Sequence, residues 1–404
     1  MTVLDKLGVR PVINATGYWT KVGNSTPSQR VRDAMDAASS SFIPFAELQA
    51  IGSSLIARIT GSEAGYVTPG GAAALTLGVA ACIAGEDADR IKSLPAVSEP
   101  PHTVVLFQQH LGYYDFALRA TGARLRTIDA FAANALEQLG AALTKDVACL
   151  FFDYTGLPYK DPAGIPDLPD VISVAHSKGV RVIVDASLAL PPHTNLQAIV
   201  RMGADAVAFS GSKAIQGPPA SGLLACRSDM IRSIALQHQD LNVWAEIKGA
   251  IDPQNLFMGI GRTMKIGKEQ IVGLLVALED YAQRDHDRDQ TIWRNRLDVI
   301  EHSLADIPGV SLKRELSNEG RAPYLMLGFD GPLASLTTKE VSEQLLEGNP
   351  RVFMAPYRGN VLLIGPEGLR DDQPKVVARK LLEIIGKAKS SPEASPFVAA
   401  YELK

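Results

Sequence analysis

A carboxylate and an amine carry the chemistry most legible in this chain. Asp185 closes the run Val182-Ile-Val-Asp-Ala-Ser, and Lys213 lies in Phe209-Ser-Gly-Ser-Lys-Ala-Ile-Gln-Gly-Pro-Pro, twenty-eight residues on. Both follow apolar runs that read as buried strands, and the spacing leaves room for one helical crossover. That places the two side chains on neighbouring strands at the C-terminal edge of a parallel sheet, where open α/β folds put their ligands. An amine there can form a Schiff base with an aldehyde, and an acid beside it can keep a pyridine nitrogen protonated, which is the pairing that pyridoxal phosphate uses. Taken singly, a strand-end aspartate or a loop lysine needs no chemistry to explain it. The pairing, with glycines around the lysine and Ser210 and Ser212 in reach of a phosphate, is the stronger signal.

Such a cofactor needs a seat for its phosphate. Gly61-Ser-Glu-Ala-Gly-Tyr-Val-Thr-Pro-Gly-Gly-Ala-Ala-Ala-Leu passes from a short strand through a Gly-Gly turn into an apolar helix. The N–H groups of Gly70, Gly71 and Ala72 are left free at the helix start, where an anion can approach closely. Gly-rich turns before helices also occur with no ligand. Directly after the run Val104–Phe107 comes Gln108-Gln-His-Leu-Gly-Tyr-Tyr-Asp. His110 therefore sits at the same sheet edge, either stacked on a pyridine ring or as a loop histidine, and Asp115 and Arg119 have i,i+4 spacing for a structural ion pair. Gly259-Ile-Gly-Arg-Thr-Met-Lys-Ile-Gly-Lys gathers Arg262, Lys265 and Lys268 at a helix start. Cations there oppose the helix dipole unless an anion or solvent offsets them. Arg358 and Arg370 are further candidates for a carboxylate or phosphate, with surface arginines the alternative. No metal site is expected: the sequence has no HExxH or paired-cysteine pattern, and no Walker A either, while His102, His176, His193, His238, His286 and His302 lack ligand spacing. A GxGxxG after an early strand is missing too, which disfavours a nicotinamide-binding domain.

The elements that must position these residues follow from the hydrophobic pattern. β-Branched and apolar runs at Val104–Phe107, Arg124–Ile128, Val147–Phe152, Val180–Val184 and Asp205–Phe209, with helix-sized gaps, predict a mostly parallel sheet covered by helices on both faces. Ala72–Ala84 predicts a buried helix. Thr26-Pro-Ser-Gln predicts a helix start capped by Thr26, with Pro27 in first position. One long helix is expected from about Lys265 through Leu297, then an α+β region with strands near Val310–Leu312, Tyr324–Phe329, Val352–Met354 and Val361–Ile364, and helices near Thr338–Leu346 and Pro374–Lys387. With 404 residues, two domains are expected: residues 50–262 as the large one, 263–404 as the small one, and 1–49 packing with the small one. The charge is nearly balanced, 40 basic against 44 acidic residues, so no bulk basic field exists for nucleic acid or an anionic membrane. Cys82, Cys149 and Cys226, odd in number and far apart, fit a reducing, cytoplasmic compartment. The first ten residues lack a signal-peptide pattern, and no apolar run reaches a membrane-spanning length.

Several stretches together resemble the fold-type I pyridoxal phosphate enzymes, and within them the selenocysteine synthase-like group. These are Pro11-Val-Ile-Asn-Ala-Thr-Gly, Glu47-Leu-Gln, Val67-Thr-Pro-Gly-Gly-Ala-Ala-Ala, His110 with Tyr114, Asp115 and Arg119, Val184-Asp-Ala, Ser210-Gly-Ser-Lys with Gly217-Pro, and Gly261-Arg-Thr-Met-Lys-Ile-Gly-Lys-Glu. The resemblance implies the fold-type I transferase fold, Lys213 as the Schiff-base lysine, Asp185 at the pyridine nitrogen, His110 stacking on the ring, and Gly70, Gly71, Ala72 and Ser210 around the phosphate. It also implies a homodimer or larger homo-oligomer with a shared active site, in which some of Arg262, Lys265 and Lys268 serve the neighbouring subunit. The chain is more similar to the subgroup that includes D-glucosaminate-6-phosphate ammonia-lyase than to selenocysteine synthase, because it starts almost at Val12-Ile-Asn-Ala-Thr-Gly, without an added domain for transfer RNA. It departs from the family pattern in reading Gly-Ser-Lys at Gly211–Lys213 and Gly-Pro-Pro at Gly217–Pro219.

The expected activity is a lyase acting on an amino acid or amino sugar acid, with Cα deprotonation by Lys213 and β-elimination to an oxo acid and ammonia. A racemase, aldolase or transferase acting on a small amino acid is compatible with the same residues. Selenocysteine synthesis and an idle cofactor-binding protein are the remaining alternatives, the last opposed by an intact Lys213 and Asp185. The expected partner is a small molecule, with neither nucleic acid nor membrane.

Overall fold

The structure, a computed structural model, describes residues 2–112, 114–154, 164–238, 258–315, 321–357 and 359–390. It divides into two compact units, one of residues Thr26–Arg284 and a smaller one of Met1–Ser25 with Asp285–Lys404. The smaller unit opens the chain with α1 (Val3–Lys6) and β1 (Val12–Asn14). The large unit then runs α2 (Gln29–Ser39), α3 (Phe45–Thr60), β2 (Ala64–Thr68), α4 (Gly71–Ala84), α5 (Ala88–Ser93), β3 (Thr103–Phe107), α6 (Asp115–Arg119), β4 (Arg124–Ile128), α7 (Ala135–Ala142), β5 (Val147–Asp153), α8 (Leu168–Ser177), β6 (Arg181–Asp185), α9 (Asn195–Arg201), β7 (Ala206–Ser210), β8 (Gly222–Cys226), α10 (Ile231–His238) and α11 (Lys268–Gln283).

Its core is a seven-stranded sheet in the order β2-β8-β7-β6-β5-β3-β4. The strands β7-β6-β5-β3-β4 are parallel throughout, and β8 runs antiparallel between β7 and β2. Leu106, Phe151, Ile183, Ala208 and Leu224 share one core cluster with Leu75, Leu77 and Val79 of α4. The alternating residues Val105, Leu150, Val182, Val207 and Leu223 are buried as well, so both faces are covered. Helix α4 is apolar on nearly every side because it lies between the sheet and α5, α6 and α10. The sheet edge at β2 is closed by Gln49 of α3, a buried amide that donates to Val67 O (3.0 Å) and accepts from Val67 N (3.1 Å) as a neighbouring strand would.

The smaller unit continues with α12 (His286–Leu304), β9 (Val310–Glu315), β10 (Tyr324–Phe329), α13 (Thr338–Glu347), β11 (Arg351–Phe353), β12 (Ala355–Tyr357), β13 (Val361–Ile364) and α14 (Gln373–Ser390). A four-stranded antiparallel sheet, β12-β13-β10-β9, packs its Leu325, Leu327, Leu362 and Ile364 with Leu297, Ile300, Val377 and Leu381 of the helices. β1 pairs in parallel with β11, Val12 opposite Arg351.

Three expectations are corrected. The unit boundaries fall at 25 and 284, not at 49 and 262, because α2 packs along α11, where Arg30 pairs with Glu279 (3.3 Å) and Asp280. The long helix is two helices, since Asp285 accepts from Arg288 N (2.9 Å) and so caps a new start at His286. Helix α2 is capped by Ser28, which accepts from Val31 N (3.2 Å), so Thr26 and Pro27 lie before it.

Candidate active site

Because β2 is parallel to β7 through two antiparallel steps, the ends of β2, β3, β5, β6 and β7 all reach one edge of the sheet. Onto that edge come Gly70–Gly71, His110, Asp153, Asp185–Ser187 and Ser210–Lys213. Asp185, buried at the end of β6, stands opposite Asp153 in register. Its Oδ1 accepts from Ser187 N (2.8 Å), and its carbonyl accepts from Tyr154 N (2.8 Å). The Lys213 amine donates to the carbonyl of the same Ser187 (3.2 Å). One residue therefore joins the acid and the amine.

Burial dominates the electrostatics of both groups. Burial first, then the charge of Asp153, raise the Asp185 carboxyl above its ordinary range, against the Ser187 bonds and Lys213, which lower it. Burial lowers the Lys213 amine below its ordinary value, and Asp185 opposes this only in part. Each group is pushed toward its neutral form, the form in which an amine is a nucleophile and base.

The start of helix α4 is the candidate anion seat. Its N-cap, Gly70, has φ +151° and offers no side-chain acceptor, so the first N–H groups are unclaimed by a cap. Thr68 Oγ1 holds the Gly70 carbonyl (2.9 Å). A methyl group on Gly71 would lie 2.4 Å from Ser187 Oγ, so the glycine keeps open a concavity beside the helix start. Ser210 Oγ lies 3.4 Å from Ser212 Oγ, which is where the departing serine of Gly-Ser-Lys sits, buried. A donor set of backbone N–H groups and hydroxyls, next to a buried acid and a half-buried amine, fits pyridoxal phosphate group by group: phosphate, ring nitrogen and aldehyde.

The comparisons with known proteins agree. The family described as "Cys/Met metabolism PLP-dependent enzyme" matches residues 50–241. D-glucosaminate-6-phosphate ammonia lyase from Salmonella typhimurium is 28% identical over 389 residues, covering 95% of this chain and 97% of its own. A solved structure of D-glucosaminate-6-phosphate ammonia-lyase aligns with a TM-score of 0.80 and 27% identity, covering 96% of this chain and 99% of that one. The chain has the fold of the fold-type I pyridoxal phosphate enzymes. Another relative, 5'-C-glycyluridine monooxygenase-decarboxylase from a Streptomyces species, is 28% identical over 387 residues, covering 94% of this chain and 91% of its own.

His110 is buried and faces the edge of Phe152 (ring centroids 4.5 Å) and Phe107 (5.6 Å). Its Nδ1 accepts from Asp153 N (3.3 Å), which leaves the proton of the neutral ring on Nε2. Arg119 and Asp115 pair at 3.4 Å as their spacing suggests. The cation cluster does not act as one group. Lys268 donates to Ala38 O (2.7 Å) and Ser39 O (3.2 Å) at the end of α2, so its amine caps that helix C-terminus. Lys265 is exposed, and Arg262 lies in the turn Ile260–Thr263, close enough to His238 to lower its pKa, after burial as the main cause. Arg370, in the smaller unit, is exposed and faces Asp372 at 3.9 Å. Arg358 lies outside the described residues. Two residues were missed by the sequence reasoning. Asp153 carried the same strand-end signal as Asp185, one residue past the expected strand; Ser187 carried none, since its role depends on where Lys213 folds back.

Proposed function

We propose that this enzyme is a lyase that removes ammonia from an amino acid or amino sugar acid bearing a β-hydroxyl. The observation that carries the reading is the link Asp185–Ser187–Lys213 beside the uncapped start of α4. Lys213 would hold the cofactor covalently, Asp185 its ring nitrogen, Gly70, Gly71, Ala72 and Ser210 its phosphate, and His110 one face of its ring. When bound, pyridoxal phosphate supplies an electron sink for the pair left at Cα. The Lys213 amine, pushed toward its neutral form by burial, would take the Cα proton at Nζ. Asp185 would hold a proton on the ring nitrogen, and a cation there would offset the cost of burying its carboxylate. Loss of the β-hydroxyl as water and hydrolysis of the resulting enamine nitrogen return that water and give a 2-oxo acid and ammonia. Fully exposed Phe42, with Ile51 and Phe116 exposed at 62% and 72%, supports a homo-oligomer, which we place in the cytoplasm. Among the described residues no helix is long and apolar enough to cross a membrane.

The test combines labelling and turnover. Borohydride treatment and peptide mapping should find the pyridoxyl group on Lys213. Ammonia and oxo acid should appear with D-glucosaminate 6-phosphate or another β-hydroxy amino acid, without oxygen uptake. Oxygen consumption coupled to carbon dioxide release would instead favour the chemistry named for the Streptomyces relative and refute the lyase. Light scattering tests the oligomer; a monomer at micromolar concentration refutes it.

A further inference from the structure

We infer that the Ser187 hydroxyl is itself a ligand of the cofactor phosphate, so that this one residue serves the phosphate with its side chain while its main chain fixes the acid and the amine. The inference rests on the cofactor assignment above. The main-chain groups of Ser187 are already committed: its N–H goes to Asp185 Oδ1 (2.8 Å) and its carbonyl to Lys213 Nζ (3.2 Å). That commitment turns the side chain toward α4. A methyl group built on Gly71, the first residue of α4, would lie 2.4 Å from Ser187 Oγ, 3.4 Å from Ser187 Cβ and 3.9 Å from Ser210 N. The hydroxyl thus stands at the mouth of a fourteen-residue helix, between its first turn and the end of β7. It makes no hydrogen bond among the described residues.

The chemistry of the seat explains what such a hydroxyl would add. The first turn of α4, Gly-Ala-Ala-Ala, brings no side-chain donor, and the dianionic phosphate has more acceptor positions than the unclaimed N–H groups can fill. Ser187 adds an O–H donor from the opposite side. Glycine at 71 follows from the same geometry, since alanine would meet the hydroxyl.

The test separates this role from a merely structural one. The protein is stripped of cofactor, and the wild type and Ser187→Ala are titrated with pyridoxal phosphate and with pyridoxal, which lacks the phosphate, following the visible absorbance of the bound ligand. Ser187→Ala keeps both main-chain bonds, so it should weaken pyridoxal phosphate about tenfold, as expected for a hydrogen bond to a charged group, and change pyridoxal by less than about twofold. Equal loss for both ligands, or for neither, overturns the inference. A wild type that binds pyridoxal phosphate no better than pyridoxal removes the phosphate seat itself, and the inference with it; failure to bind either removes the cofactor assignment. Independently of any ligand, Gly71→Ala should lower the melting temperature of the stripped protein in the wild type and do so clearly less in the Ser187→Ala background, where the 2.4 Å contact is gone. Equal losses in both backgrounds would show that the hydroxyl does not face Gly71 and would overturn the inference.

Discussion

Replacing Glu367 by glutamine should make the smaller unit more stable at pH 8 and leave it unchanged at pH 4. Glu367 follows β13 in Gly365-Pro-Glu-Gly, beneath the N-terminal segment, where Thr16 bridges to Gly365. Its Oε2 is buried with no hydrogen-bond partner among the described residues. Methyl groups on Gly17, which has φ +86°, and on Gly365 would lie 2.8 and 2.7 Å from that oxygen, so the two glycines form the walls of its cavity. Burial pushes the carboxyl up from 4.5 to about 7, against its own backbone N–H and Arg296, which lower it. The proton is therefore bound more tightly in the folded state than in the unfolded one. Stability falls as pH rises from the unfolded value to the folded value, and the loss is complete above about 7. A rise of this size corresponds to about 3 kcal/mol at 1.36 kcal/mol per pKa unit. Glutamine keeps the shape and carries no proton equilibrium. Urea unfolding followed by fluorescence, with Trp293 buried in α12 as a reporter of this unit, should give matching curves at pH 4 and a glutamine variant about 2 to 3 kcal/mol more stable at pH 8. Curves that shift in parallel from pH 4 to 8, or a glutamine variant that loses stability at pH 8, would refute the account of a buried carboxylate whose Oε2 lacks a partner.

Gln49→Leu should cost about 2 to 4 kcal/mol in thermal or urea unfolding, because it leaves the Val67 N–H and carbonyl unpaired at the sheet edge; a neutral result would mean that water replaces the amide. Lys213→Ala should abolish the borohydride-fixed label and lower kcat by about 100-fold or more, with far-ultraviolet circular dichroism unchanged. Lys213 should also react with an amine-selective acylating reagent along a pH profile centred below the ordinary 10.5, since burial lowers its pKa; a midpoint at or above that value would contradict the burial. Asp185→Asn should retain pyridoxal phosphate within about tenfold and lose kcat by about 100-fold or more, because a carboxamide cannot hold positive charge on the ring nitrogen; unchanged kcat would remove Asp185 from that role.

Much of the fold was legible because it depends on local pattern. Five β-branched runs separated by helix-sized gaps require parallel strands with covered faces, and a run such as Ala72–Ala84 without a polar side can only be an interior helix. Asp185 and Lys213 were legible for the same reason, since a residue's place at a strand end is fixed by sequence once the strand is. Boundaries were less so: Thr26 and Ser28 are both competent caps, and Asp285 interrupts an apolar periodicity that by itself favours one long helix.

Tertiary structure decided what each candidate side chain touches. Lys268 belongs to the same basic stretch as Arg262 in sequence, yet its amine is spent on the carbonyls that end α2, more than two hundred residues earlier in the chain. Ser187 looks like any turn serine, and only the return of Lys213 onto its carbonyl, with Gly71 across from its hydroxyl, shows what it can do. The sequence by itself determined the kinds of group at the sheet edge, because strand periodicity and strand ends are local properties. The distances among those groups, the burial that shifts Asp185 and Lys213 toward neutrality, and the cavity around Glu367 arise from contacts between residues far apart in the chain, and only the folded packing sets them.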